Sequence, residues 1–396
     1  MMLNFSGAFS LTKQLLLVLL ILFSIYELAI NKVRLNYNVC LFIFSWIAVF
    51  SLSYLHGLFR GYEASYSLLN YVFLTPVICY LISCTINNDR FEFFNKSILL
   101  SLYLAVLVSF VYAAHIFGLI QIPDFILSAG FFGGVKISSD VLEMRMSNQS
   151  ALIFLIPYAM VLISFYTGRE RKKILLLVFL SLLIVVLSGR RALQIITIFG
   201  ALLAYLVYLL SSKDFNRVIV NTFFIVCATI STFFVIFHVI SVVSGIEDPI
   251  KALFNTLLLA FDSSQKSTTV RSEQVVALIN FWNESPLFGH GLNSHPSYLR
   301  SDTDKWSYEF VYLAFFSQNG VFLGVVFLSV FLILWRRMWI GFRLQRENSK
   351  YFAALLVGSI CYFIAAGTNP MIQFYWFWVI FLVPLNNCLY RKEFNL

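Results

Sequence analysis

Charge is what this chain has least of. Asp, Glu, Lys and Arg together make up 12 % of its 396 residues, whereas 60 % are hydrophobic and 43 are phenylalanine. A soluble fold of that composition has too little polar surface to cover itself. Sequences that carry other chemistries are missing too. There is no Gly-rich nucleotide loop, no HExxH helix and no Ser/His/Asp constellation, which argues against a nucleotide-sugar donor. The six cysteines (Cys40, Cys79, Cys84, Cys227, Cys361 and Cys388) all lie in or at the ends of apolar runs. That leaves neither a disulfide framework nor zinc-ligand spacing, and buried, inert thiols are expected. A cleavage site is lacking after the first apolar run, so that run is expected to remain as a span. The net charge of +9 comes without a basic patch interleaved with stacking aromatics, so no nucleic-acid partner is expected.

Long apolar runs fill the chain instead. They are continuous rather than alternating, which makes them helices and not barrel strands. Each has roughly the length a bilayer core requires. The expected spans are Gln14–Ile30, Tyr37–Leu55, Tyr66–Ile86, Ser97–Leu119, Gln149–Tyr166, Ile174–Leu187, Ala192–Leu210, Val218–Ile240, Phe310–Trp335, Tyr351–Ala366 and Phe374–Tyr390. The expected fold is therefore all-α: one integral membrane domain over residues 1–396, a polytopic bundle of eleven or twelve helices.

Basic residues set the sides. Arg169, Arg171, Lys172 and Lys173 crowd one short loop; Arg336, Arg337, Arg343, Arg346 and Lys350 crowd another; Arg391 and Lys392 follow the last span. Counting spans puts all three on one face, the cytoplasmic one by the positive-inside rule. The C-terminus is then inside; with eleven spans the N-terminus is outside, and a twelfth would bring it in. The opposite face, the periplasm of a bacterium, receives His56–Ser65, Ile120–Asn148, Ser188–Arg191, Gly367–Gln373 and the one long hydrophilic loop, residues 241–307. Two short helices are expected in that loop. One lies at Ile250–Phe261, and the other carries Val275, Val276, Leu278, Ile279, Phe281 and Trp282 and stops near Pro286.

Arg190 and Arg191 end a span on the outer face, where basic residues are disfavoured. They either snorkel to anionic headgroups or clamp a phosphate-bearing substrate, a task that suits a guanidinium fork. Arg271 follows Ser267-Thr268-Thr269, a helix start where a cation opposes the helix dipole, which speaks against a purely local role. Arg145 in the shorter outer loop is a further candidate. Asp302-Thr303-Asp304 has the spacing of a metal–diphosphate pair, yet Arg300 and Lys305 flank it in a polar loop, and a solvated turn is the better reading. Trp282, Trp306, Tyr298, Tyr308, Tyr312 and Phe316 suit either sugar stacking or a membrane-interface belt.

From Arg271 to Gly324 the order of pieces is more specific. Arg271-Ser272-Glu273-Gln274 leads to Asn280-Phe281-Trp282, then to Pro286-Leu287-Phe288-Gly289-His290-Gly291, then to Ser307-Tyr308-Glu309 heading a span with Gly320 and Gly324. With Ser188-Gly189-Arg190-Arg191 before it, this stretch resembles the O-antigen polymerase and ligase superfamily of bacterial envelope enzymes. The resemblance covers about a quarter of the chain; elsewhere only the hydropathy is similar. It implies metal-independent glycosyl transfer, without cofactor, from an undecaprenyl-diphosphate-linked oligosaccharide on the periplasmic face of the inner membrane. Arg190, Arg191 and Arg271 would hold the diphosphate and Glu309 would take the acceptor's proton. Arg145, His290, His295 and Tyr308 are further substrate-binding candidates. The ligase branch carries a histidine about eleven residues before the first span glycine, where this chain has Glu309. That departure favours the polymerase branch over the ligase branch. Implied partners are the lipid-linked oligosaccharides, the bilayer and a polysaccharide chain-length regulator. A non-enzymatic flippase is the remaining alternative, and it would keep ionisable residues deep in its spans, where this chain has few.

Overall fold

The computed structural model describes residues 10–30, 37–62, 66–86, 88–116, 118–127, 132–138, 141–146, 149–188, 190–211, 266–300, 305–344, 348–368 and 375–388. Helices α1 (Ser10–Ile30), α2 (Tyr37–Phe59) and α3 (Tyr66–Leu69) come first. A π-turn at Asn70–Leu74 carries α3 directly into α4 (Thr75–Cys84). Next are α5 (Asn88–Ile116), the single turn α6 (Asp124–Ile126), strands β1 (Phe132–Ser138) and β2 (Val141–Met146), α7 (Gln149–Phe165), α8 (Gly168–Leu187) and α9 (Arg191–Ser211). The chain closes with α10 (Lys266–Glu284), α11 (Val311–Leu344), α12 (Ser349–Ala366) and α13 (Tyr375–Cys388).

Ten of the eleven expected spans coincide with these helices, α3 and α4 together forming the third. The span Val218–Ile240 and the loop helix Ile250–Phe261 lie outside the described residues. Among the described residues, five helical stretches are long and apolar enough to cross a bilayer: Val39–Phe59, Arg90–Ile116, Ala192–Leu210, Val311–Leu344 and Ser349–Ala366. Their outer faces agree with that setting. Ile195, Ile198, Leu202 and Leu206 form an exposed stripe on α9, and Leu100, Tyr103, Leu107 and Val111 one on α5. Water does not tolerate such continuous apolar stripes, whereas hydrocarbon does.

The antiparallel hairpin β1–β2 is an addition to the all-α expectation. It pairs Val135 with Met144 and Ser138 with Val141, with a register irregularity between Phe132 and Val135. Its sequence alternates: Val135 and Ile137 are separated by Lys136, and Leu142, Met144 and Met146 by Glu143 and Arg145. Period-two patterning of that kind makes a strand rather than a loop.

The described chain groups into two compact units. The first comprises residues 1–13, 95–263 and 353–362, the second residues 14–94, 264–352 and 363–396. In the first, α7 is buried along nearly its whole length, from Ala151 to Ile163. Pro157 sits inside it, where a proline removes one helical hydrogen bond. Its ring nests on Gly200 of α9, where a β-carbon would stand 2.6 Å from Pro157 Cγ. Small residues at such crossings bring membrane helices close, where dispersion replaces the hydrophobic effect as the cohesive force. Asn95 Oδ1 accepts the Tyr158 hydroxyl proton at 2.7 Å, which satisfies the two buried polar groups together.

In the second unit α4 packs on α13 and α10 on α11. Pro76, early in α4, cannot donate to the carbonyl of Val72 one turn back. The indole Nε1–H of buried Trp46 on α2 donates to that carbonyl instead, at 3.0 Å. A side chain of a neighbouring helix thus restores the bond the proline removed, which makes the interruption tolerable in an apolar setting.

Candidate active site

Helix α11 is broken where the sequence reads as one continuous apolar helix. Gly320 has φ 71 and ψ 175, a conformation open to glycine and strained for other residues. The turn after α10 fills the gap. Gly289 and Gly320 meet backbone to backbone, and a β-carbon on either would overlap the other's chain. On the near side of the break, His290 N–H donates to Ser317 O at 3.3 Å and Gly291 N–H to Gln318 O at 2.7 Å. On the far side, Val321 N–H donates to Pro286 O at 2.9 Å and Phe322 N–H to Leu287 O at 3.3 Å. Two carbonyls before the break and two N–H groups after it are thus paired with the turn, as backbone groups away from water require.

The end of α2 closes the other flank. Leu292 N–H donates to Ser53 O at 2.9 Å, and the backbones of Gly57 and Gly291 touch so closely that neither has room for a side chain. Ser53 Oγ bonds to Asn319 Oδ1. Gln318 reaches Ser294 O at 2.9 Å and Trp306 O at 3.3 Å, fastening the rest of the loop to the same point. These polar residues of α11 escaped the sequence reading, because their partners lie far away in the chain.

His290 belongs to this fastening. It is 5 % exposed, its ring stacks on Phe281 at 3.8 Å, and Nε2 lies 2.6 Å from Phe281 O. An acceptor at Nε2 makes that nitrogen the N–H donor, so Nδ1 accepts from Arg60 Nη1 at 2.9 Å. Burial pulls the imidazole below its ordinary value and the charges of Arg60 and His56 act the same way; the Phe281 carbonyl and Glu284 oppose them. The ring is held neutral with both nitrogens engaged by the protein. His295 is placed apart from it, with its ring edge on Tyr62 at 5.6 Å and Nδ1 3.1 Å from Pro296 O.

Arg271 and Glu309 come together although 38 residues separate them. Arg271 stands in the second turn of α10, and Glu309 lies just before α11. Their elements meet because Leu278 of α10, Tyr308 and Ala314 form one buried apolar cluster, with Tyr298, Phe310 and Leu313 packed around it. Arg271 Nε–H donates to Glu309 Oε2 at 2.7 Å, and Arg300 Nη2 lies 3.8 Å from Oε1. Glu309 N–H donates to Gln274 Oε1 at 3.2 Å. Gln274 is fully buried, one turn along from Arg271, and its Nε2 has no partner among the described residues. Tyr308 anchors the segment from below: it is 1 % exposed and its hydroxyl donates to Tyr298 O at 2.8 Å. Burial raises the Tyr308 phenol well above its usual range, so it stays protonated and serves as that donor.

The same unit holds a cleft of about 690 Å³ counting its mouth. Trp46, Phe50, Leu68, Val72, Phe315 and Trp378 line its apolar wall, and Ser307, Tyr308 and Gln318 give it a polar rim. The rim runs straight into Glu309 in the chain.

Arg145, Arg190 and Arg191 belong to the first unit and Arg271, His290, His295, Tyr308 and Glu309 to the second. Arg145 lies on β2, and Arg191 opens α9. Arg190 is exposed and its N–H donates to Ser188 Oγ at 3.2 Å. One turn on, the Gln194 side chain is 9 % exposed, and neither of its amide atoms has a partner among the described residues. Among the described residues no three His, Cys, Asp or Glu side chains gather as a metal site. Asp302 and Asp304 lie outside them.

Comparison with curated proteins and with solved structures gives no match. A protein-family model does match, over residues 176–328, and its description is O-antigen ligase. The matched stretch runs from inside α8 to the second half of α11 and takes in Arg190, Arg191, Arg271, the Pro286 turn, Glu309 and Gly320. Over residues 176–328, which hold the loop-to-helix site, this membrane bundle is similar to the O-antigen ligase family.

Proposed function

We propose that the chain is the polymerase of a lipid-linked polysaccharide. It transfers a growing chain from its undecaprenyl diphosphate carrier to the sugar of a new lipid-linked repeat unit, on the periplasmic face of the inner membrane. The observation that carries this reading is the meeting of Arg271 and Glu309 at the head of α11, where the neighbouring residues Ser307, Tyr308 and Val311 line a cleft with an apolar wall. A hydroxyl oxygen of the acceptor sugar attacks the anomeric carbon of the donor. The bond from that carbon to the diphosphate breaks, and its electron pair leaves with the diphosphate. The hydroxyl proton passes to the Glu309 carboxylate and later to water. Arg271 neutralises the charge developing on the leaving group, which removes the need for a metal. Arg190 and Arg191, singled out from the sequence, are further phosphate-binding arginines of this reading. The carboxylate at position 309, in place of the ligase branch's histidine, favours polymer growth over transfer to lipid A-core. A chain-length regulator is the protein partner this activity calls for.

The test is genetic. A strain carrying Arg271→Ala should lose the ladder of long-chain polysaccharide while the protein stays in the membrane. Arg271→Lys should restore little, because the fork is lost. A wild-type ladder with Arg271→Ala would refute the assignment.

A further inference from the structure

In this reading a carboxylate that must take a proton is held by guanidinium groups. Glu309 offers Oε2 to Arg271 at 2.7 Å and Oε1 to Arg300 at 3.8 Å, and its side chain is 23 % exposed. Arg271 and Arg300 remain accessible, at 48 % and 33 %. They approach from different segments, one from α10 and the other from the loop that follows it, so they form a cationic pocket with a carboxylate inside. Ser307 and Tyr308, which line the cleft, directly precede Glu309 in the chain.

We infer that Glu309 is an internal stand-in for a diphosphate, and that Arg300 is a second diphosphate ligand alongside Arg271. The inference rests on the polymerase reading and deepens it. A diphosphate carries more charge than one carboxylate, and its oxygens match two guanidinium forks. It therefore takes the arginines when it arrives and turns Glu309 loose. The order matters for the chemistry. The proton acceptor is engaged while the donor is absent and becomes available when the donor is bound, so activation of the acceptor hydroxyl is tied to the presence of a leaving group. The Gln274 contact to the Glu309 backbone keeps the residue in place while its side chain changes partners.

The pocket recognises the diphosphate itself, whether free or esterified to a lipid, and the experiment separates the two. Binding of inorganic pyrophosphate and of farnesyl diphosphate is measured by calorimetry on the detergent-purified full chain, with inorganic phosphate as reference. Glu309→Gln removes the internal competitor and should tighten both probes roughly fivefold, the scale of an exposed ion pair. It should also abolish polymer. Arg300→Ala should weaken both probes roughly tenfold, and Arg300→Lys should recover part of the loss. Arg300 lies in an exposed loop, so its variants test the inference even if Glu309→Gln fails to fold. Unchanged or weaker binding by folded Glu309→Gln, or unchanged binding by Arg300→Ala, overturns the inference. The polymerase reading then survives as long as Arg271→Ala still lacks polymer. A response confined to farnesyl diphosphate would place the effect on the tail and likewise overturn it.

Discussion

The two units solve the same packing problem in opposite ways. In the first, α7 crosses α9 through an apolar fit of Pro157 into Gly200, and Phe154 lies against Gly358. In the second, α11 is interrupted at Gly320, and a polar turn and the side chains of Ser53, Gln318 and Asn319 occupy the break. Apolar crossings are enough for cohesion among membrane helices. Polar groups at such depth are costly unless satisfied, and they persist where a position must be fixed. The first unit is built for cohesion, and the second holds the loop carrying Arg271, Arg300 and Glu309 to a defined place on α11.

Substitutions at the closest contacts should break that contrast most sharply. Gly320→Val or Gly289→Val places a β-carbon inside the opposing backbone at a positive φ, and backbone cannot yield. We expect a loss above about 3 kcal/mol, seen as absence of a monodisperse peak after detergent extraction. Gly200→Ala in the first unit meets a proline ring instead, so the loss should be about 1–3 kcal/mol with turnover retained.

Much of this architecture is legible in the sequence. Apolar runs locate the helices because length and continuity are local properties, and α10 ends at Glu284, just before Pro286, as the turn residues demand. The hairpin is missed because seven- and six-residue alternations are short beside the spans around them. The break in α11 is hidden for a different reason. Val311–Leu344 reads as uninterrupted helix, and the cause of its interruption sits in the turn at Pro286–Gly291. Arg271 and Glu309 stand out individually in the sequence, but their pairing depends on the apolar cluster of Leu278, Tyr308 and Ala314. Arg300 reads as part of a solvated turn until Glu309 is seen between it and Arg271. Gln274, Gln318, Gly57 and Arg60 carry no local signal, since each acts only through a distant partner.

Next in size is Gln318→Leu. It removes the side-chain donor to the carbonyls of Ser294 and Trp306, and we expect a loss of about 1–3 kcal/mol with a fall in turnover that no apolar crossing in the first unit would produce. Acid should loosen the same region. The folded protein holds His290 below its ordinary value, so the unfolded chain takes the proton first as pH falls. The stability from this residue is complete above roughly pH 6.5 and is lost as pH drops below it. Thermal midpoints between pH 7.5 and pH 5.5 should decline in the wild type and flatten in His290→Gln. The smallest effect belongs to Arg90→Ala, which removes a half-exposed ion pair with Glu27 at 3.1 Å and a hydrogen bond to Thr85 O at 3.1 Å, and should shift stability by about 1 kcal/mol.

The most direct test of the site is a charge swap. In Arg271→Glu combined with Glu309→Arg the ion pair can re-form, so thermal stability should return to near the wild-type value relative to either single substitution. Transfer of lipid-linked repeat units in isolated membranes should nevertheless stay at background, because diphosphate and hydroxyl then meet groups of the wrong charge. Wild-type polymer from the swapped protein would show that the pair only holds α10 to α11, and would contradict the account.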